Sequence, residues 1–226
     1  DASASAVEAC RPYVEGTDQL PGDGRFLLVG NHDERTALRA AFADRAELHS
    51  GGEFVHYAVD IGALRVIALD SMVPGASAGN LCDARLAWLA TQLDAAQGKP
   101  TVVALHHPPF VCGIGHMDEL RLDPIAADRL AALIARYPNV ERVICGHVHR
   151  PMFVRFGGTI ASAVPAPAHQ VGLDLREDAP SAFVMEPPAY ALHRYDPATG
   201  IVTHHAYVDR ADGPYPFYEP EGALID

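Results

Sequence analysis

Val143-Ile144-Cys145-Gly146-His147-Val148-His149 is the stretch that decides how this chain is read. An apolar run closing on a glycine and two histidines one residue apart describes a strand running out into a loop. Strand side chains alternate faces, so positions 147 and 149 point the same way, and a loop adds freedom to bring both imidazoles to one pocket. Neutral imidazole is the commonest protein ligand for a catalytic metal. Taken alone, His-x-His is a weak signal. Two further stretches repeat the arrangement: Phe26 to Val29 leads into Gly30-Asn31-His32-Asp33, and Thr101 to Leu105 leads into His106-His107-Pro108-Pro109. Three apolar strands, each ending in metal-ligand or acid–base residues, predict the carboxyl edge of an α/β sheet, where such folds place their sites.

The 226 residues suit one large domain or two small ones and easily support a buried core. No repeat, low-complexity tract or clear linker interrupts them, so a single domain over 1–226 is expected. Seventeen basic against 29 acidic residues give a net charge of −12. That argues against a nucleic-acid polymer or an anionic membrane as partner, although bound divalent cations reverse the sign locally at an anion site. Cys10, Cys82, Cys112 and Cys145 form no C-x-x-C pair, so reduced thiols in a cytoplasmic protein are the expectation. There is no 18-residue apolar run, and the opening Asp-Ala-Ser-Ala-Ser-Ala has no hydrophobic signal core. The chain does not start with methionine, so its natural beginning is expected upstream.

Taken in order, residues 2–14 predict a helix, 17–24 a loop, 26–29 a short buried strand and 35–45 a helix. Strands over 54–61 and 64–69 are joined by a Gly62-Ala63 turn and end at Asp70-Ser71, whose carboxylate reads as a loop cap rather than a supporting contact to a site. Asp83 is a candidate N-cap for a helix carrying Leu86, Leu89 and Leu93 on one face, with Trp88 at the sheet edge. A loop from Cys112 to Leu122 precedes a helix over 123–136 with Pro124 in its first turn, and strand 140–145 follows. Beyond His149 the texture changes to short strands near 152–156, 158–163, 189–195 and 201–208, with Gly157-Gly158 and 196–200 as hairpin turns. The Pro- and Tyr-rich end from Gly213 is expected at the surface, a candidate contact for a second copy in a homo-oligomer.

Gly30-Asn31-His32-Asp33, His106-His107-Pro108-Pro109 and Gly146-His147-Val148-His149, in this order and spacing, resemble the motifs of the calcineurin-like metallophosphoesterases. The Gly-x-x-x-Met-Asp loop at 113–118 and Pro-Ala-His-Gln-Val at 167–171 are similar to the class III cyclic-nucleotide phosphodiesterase and glycerophosphodiesterase branch. The resemblance covers most of the chain. It implies an α/β sandwich of two mixed sheets flanked by helices, the second half supplying the second sheet. It also implies two divalent metals, roughly 3.5–4 Å apart, that clamp a phosphodiester and hold a bridging hydroxide for in-line attack. By the same resemblance Asn31, His106 and His147 bind one metal and His149 the other. His32 contacts the phosphate and assists the leaving alkoxide, and Asp33 orients His32 through a hydrogen bond. Oxygen and imidazole donors suit Mn, Fe, Zn or Co without choosing among them.

The family's opening motifs, Asp-x-His and Gly-Asp-x-x-Asp, do not occur before residue 31. Asp1 falls about where the last aspartate of the second, or its neighbour, should stand. An N-terminal strand–helix–strand unit of at least roughly 30 residues is therefore expected upstream. Without it the chain holds three expected ligands of one metal and one of the other, and an inner strand edge is left unpaired. His107 reads as a structural neighbour of His106. His116 and His169 sit on loops that border the substrate pocket in similar proteins. His49, His56, His193, His204 and His205 read as surface or partly packed residues, and Cys112 and Cys145 as small buried hydrophobes. The expected activity is hydrolysis of small phosphodiesters, a 3′,5′-cyclic nucleotide (cAMP) first and a glycerophosphodiester next. A phosphomonoesterase or nuclease of the same family, and a non-catalytic domain with an incomplete site, are the alternatives.

Overall fold

The computed structural model describes residues 26–209 and 211–218. The helix expected over 2–14 and the turn at Gly22-Asp23 lie outside these residues. The core is a six-stranded mixed sheet in the order β1-β2-β3-β4-β6-β5. Its strands are β1 (Tyr57–Ile61), β2 (Leu64–Leu69), β3 (Thr101–Leu105), β4 (Val140–Cys145), β5 (Met152–Phe156) and β6 (Thr159–Ala163). β2, β3, β4 and β6 run parallel, and β1 and β5 close the two edges antiparallel. The parallel strands therefore end on one side, where Asp70, His106 and Gly146 follow β2, β3 and β4.

Two helices connect these strands: α2 (Asp83–Ala95) between β2 and β3, and α4 (Pro124–Ile134) between β3 and β4. Right-handed crossovers in one direction along the sheet put both on the same face. Leu86, Leu89 and Leu93 from α2 and Ala126, Ala127, Leu130 and Ile134 from α4 form one buried cluster with Ile67, Leu69, Val103, Leu105 and Val143. Asp123 caps α4, its carboxylate accepting from Ala126 N–H at 2.9 Å, and Pro124 occupies the first turn where its missing N–H costs nothing. α2 begins differently from expectation. Cys82 holds the N-cap position and Asp83 lies inside the first turn, where its charge still suits the helix N-terminus.

The opposite face carries the second sheet, a two-stranded hairpin of β9 (Ala189–Asp196) and β10 (Gly200–Tyr207). Arg142 of β4 ties the layers, donating to Ile201 O at 3.1 Å and Thr203 Oγ1 at 3.3 Å. The chain thus builds a mixed α/β fold with a central sheet flanked by helices. The second half contributes less of the second sheet than expected: β5 and β6 join the main sheet, because β6 pairs in parallel with β4. A further short pair, β7 (Gln170–Val171) with β8 (Phe183–Val184), lies beside the carboxyl edge.

Three local expectations are corrected. Residues 26–30 run without regular structure: no neighbouring strand takes their backbone groups among the described residues, and Leu27 O instead accepts the Tyr57 hydroxyl at 2.6 Å. The next helix, α1 (Arg35–Ala41), stops four residues early because Phe42 leaves helical geometry to bury its ring beside Leu38 and Leu48. The loop from Cys112 contains one helical turn, α3 (Gly115–Asp118), held because the Asp118 carboxylate accepts the N–H groups of Cys112 and Gly113. Among the described residues, no helix is long and apolar enough to cross a membrane.

Candidate metal centre

The strand ends bring three ligand atoms from distant parts of the chain to one point. His106 Nε2 lies 2.9 Å from Asn31 Oδ1 and 3.1 Å from His147 Nδ1. Burial pushes His106 down to about 2 and His147 down to about 4, with the neighbouring imidazoles adding to each shift. Both rings are therefore neutral at ordinary pH, the state in which an imidazole nitrogen offers a lone pair to a metal.

His149 turns toward the same cleft from two residues further on. Its Nδ1–H donates to the carbonyl of His169 at 3.1 Å, which fixes the tautomer and leaves the Nε2 lone pair free, the arrangement usual for metal-binding histidine. His147 and His149 both have positive φ, 67° and 54°, a conformation uncommon outside glycine. Val148 N–H closes a three-residue turn onto Gly146 O at 2.8 Å. The buried Val148 side chain, packed with Ile114, Met117 and Val171, anchors that turn. Backbone strain of this kind persists where packing over-determines it.

His107 belongs to the same histidine cluster by distance, but both of its ring nitrogens already have partners outside that cluster. Ser77 O, which can only accept, lies 3.2 Å from Nε2, so Nε2 carries the proton. The remaining lone pair on Nδ1 receives the Ser71 hydroxyl at 2.8 Å. Both nitrogens are engaged, which supports reading His107 as a packed neighbour of His106.

A cleft of about 370 Å³ opens over these atoms, lined by Asn31, His32, His106, His116, His147, His149 and His169 among others. Seven of the eight candidate residues named from sequence thus meet in one place. The eighth, Asp33, lies beneath: its Oδ2 accepts from Gly30 N–H at 2.7 Å while Asp33 N–H donates to Gly30 O at 3.2 Å. No His32–Asp33 hydrogen bond is present among the described residues; the Asp33 carboxylate instead closes the turn that carries His32. His116 Nδ1 is buried without a partner among the described residues. The His169 ring lies 4.8 Å from that of His149 and 5.1 Å from that of Phe183.

The far wall of the cleft, Ser181, Ala182 and Phe183, was not legible in the sequence. It comes into place through the two-residue β7–β8 pairing, too short to leave a periodic signal.

An amide oxygen and imidazole nitrogens without thiolate suit a borderline or hard divalent cation, and three neutral donors already converge. Asn31, His106 and His147 therefore fit one divalent metal, and His149 lines the same cleft. The fold and this donor set are those expected of a metal-dependent phosphoesterase. Residues 7–151 match the calcineurin-like phosphoesterase family, and the chain belongs to that family.

The chain is 39% identical over 201 residues, 89% of its length and 73% of the relative's, to a probable glycerophosphodiester phosphodiesterase GpdQ of Arcobacter nitrofigilis. It is 36% identical over 123 residues, 54% of its length and 42% of the relative's, to the 3′,5′-cyclic adenosine monophosphate phosphodiesterase CpdA of Pseudomonas aeruginosa. Among solved structures, GAP50, the anchor in the inner membrane complex of Plasmodium, matches with a TM-score of 0.54 at 16% identity, over 84% of this chain and 64% of that one. At that identity the likeness speaks to the fold alone.

Proposed function

We propose that this protein hydrolyses small phosphodiesters at the cleft over Asn31, His106, His147 and His149, using two divalent metal ions. The observation that carries the reading is the meeting of Asn31 Oδ1, His106 Nε2 and His147 Nδ1, from positions up to 116 residues apart. Asn31, His106 and His147 would hold one cation, and His149 would contribute to the second; Mn, Fe, Zn and Co all suit the donors. Divalent cations bound here would neutralise phosphoryl oxygens and bring the pKa of water down to about 7.

The chain's own residues do the rest. His32, exposed at the mouth of the cleft, contacts the phosphate and assists the departing alkoxide oxygen, electrostatically or as a proton donor. Asp33 keeps His32 there by holding the Gly30–Asp33 turn. His116 and His169, which also line the cleft, contact the group esterified to the phosphate.

Cyclic nucleotides and glycerophosphodiesters are the two substrates to weigh. The motifs suit both alike, and the sequence reading puts the cyclic nucleotide first. The similarity to the GpdQ relative extends over 89% of the chain, against 54% for the CpdA relative, and that extent moves the glycerophosphodiester to first place. The test is hydrolysis by the purified full-length protein, with Mn or Co, of an aryl phosphodiester, glycerophosphoethanolamine and 3′,5′-cAMP. Release of product from the aryl diester with a higher rate on one natural substrate supports the reading. Failure on all three, with metal bound, assigns the fold to a non-catalytic binding role, and faster hydrolysis of monoesters makes it a phosphomonoesterase.

A further inference from the structure

Asp70 and Ser71, consecutive residues at the carboxyl end of β2, are both fully buried and neither lines the cleft. A buried carboxylate is tolerated only when paired and hydrogen-bonded, and Asp70 is served on both oxygens. Arg35 donates to it through Nε at 2.7 Å and Nη2 at 3.0 Å. The backbone N–H groups of Val55 and Met72 each donate at 2.9 Å. Arg85 packs from the far side, its Nη1 donating to the carbonyls of Asp70 and Met72 at 3.1 Å each. Phe54 lies under both guanidinium groups, 5.2 Å from Arg35 and 4.7 Å from Arg85.

Arg35 is the first residue of α1, four positions after Asn31, so whatever holds Arg35 holds the turn that carries Asn31 and His32. Ser71 reaches the other side. Its hydroxyl donates to His107 Nδ1 at 2.8 Å and accepts His107 N–H at 3.3 Å, and His107 is bonded in sequence to His106. The His107 ring has no slack, because Ser77 O engages Nε2 and a β-carbon at Gly79 would fall 2.4 Å from the ring.

We propose that Asp70-Ser71 is the positioning element of the metal centre. Asp70, through Arg35, sets the segment bearing Asn31, and Ser71, through His107, sets the segment bearing His106. Adjacent residues of one strand end thereby fix the 2.9 Å separation of two ligand atoms 75 residues apart. The inference rests on the metal-binding reading above. It adds that Arg35, Asp70 and Ser71, which touch neither metal nor substrate, set how tightly the metal is held.

The experiment is a calorimetric titration of the metal-free full-length protein with Mn²⁺, together with the melting temperature without metal. The variants are Ser71→Ala, Arg35→Lys and Arg39→Lys. Arg39 lies on the same helix and braces it through the carbonyls of Leu48, Gly52 and Phe54 without touching Asp70, so it reports a purely structural loss. Trp88, the single tryptophan, stacks on His56 at 3.9 Å and reports by its emission that each variant is folded. Partners that orient metal ligands are worth about 10- to 100-fold in affinity, so Ser71→Ala and Arg35→Lys should weaken Mn²⁺ by that factor while Arg39→Lys stays within about twofold. Unchanged affinity in Ser71→Ala and Arg35→Lys overturns the inference, as does an equal loss in Arg39→Lys. A wild-type protein that binds no Mn²⁺ overturns the metal reading itself, and this inference with it.

Discussion

The imidazole of His106 lies flat against Gly30: a β-carbon at position 30 would stand 3.0 Å from both Cε1 and Nδ1 of the ring. The absence of a side chain at 30 is what lets the loop bearing Asn31 close onto the strand end bearing His106. Gly30→Ala forces the ring to move, and the ring cannot move without leaving Asn31 and His147. A stability loss of about 1–3 kcal/mol is expected from the overpacking. Metal affinity should fall as well, by at least about tenfold, the lower end of what displacing a ligand's support costs. Thermal melting and a metal titration measure the two effects separately.

Val148 is the apolar pin between two strained histidines, with none of its surface exposed. Val148→Ala opens a cavity beside Ile114, Met117 and Val171 and should cost about 2 kcal/mol. Because His147 and His149 depend on that pin for their positive φ, the loss of metal affinity should exceed that of a core truncation of similar stability cost elsewhere, such as Leu93→Val in α2. Denaturant unfolding with and without Mn²⁺ compares the two.

Metal binding should stabilise the fold. A ligand that binds only the native state at 100 times its dissociation constant adds about 2.7 kcal/mol. Mn²⁺ should therefore raise the melting temperature of the wild-type protein and a chelator should reverse the rise, while Asn31→Ala should show a much smaller shift. An Asn31→Ala shift equal to wild type would remove Asn31 from the ligand set.

Glu34 caps α1, its carboxylate accepting the N–H groups of Thr36 and Ala37 at 3.0 and 2.7 Å. Those hydrogen bonds hold its pKa below the ordinary carboxylate value. A lowered folded pKa means stability that is full above the carboxyl's ordinary range and is lost as pH falls through the lowered value. Glu34→Ala should therefore lower the melting temperature near neutral pH, and the gap to wild type should close as the solution is acidified. A gap that persists unchanged in acid would contradict the cap.

The motifs on strand ends were legible because each ends an apolar run, and a parallel sheet gathers such ends on one edge. His106, His147 and His149 were placed that way, and β1 to β6 follow the expected runs closely. Less legible was anything set by contacts far apart in sequence. Phe26 to Val29 has the composition of a strand but no partner strand among the described residues. Asp33 reads from the resemblance as a partner of His32, and the geometry gives its carboxylate to the backbone of Gly30 instead. Asp70 reads as a loop cap, because nothing in sequence places Arg35 and Arg85 on either side of it. The Phe183 wall depends on a pairing of two residues with two.

Everything proposed for the cleft depends on Asn31, His106 and His147 holding a divalent cation. The most direct measurement is anomalous scattering at the manganese edge from crystals of the full-length protein grown with Mn²⁺. An anomalous peak is expected in direct coordination of Asn31 Oδ1, His106 Nε2 and His147 Nδ1, with a second close to His149 Nε2. Peaks elsewhere only, or these three atoms bonded to one another with no peak among them at saturating Mn²⁺, would contradict it.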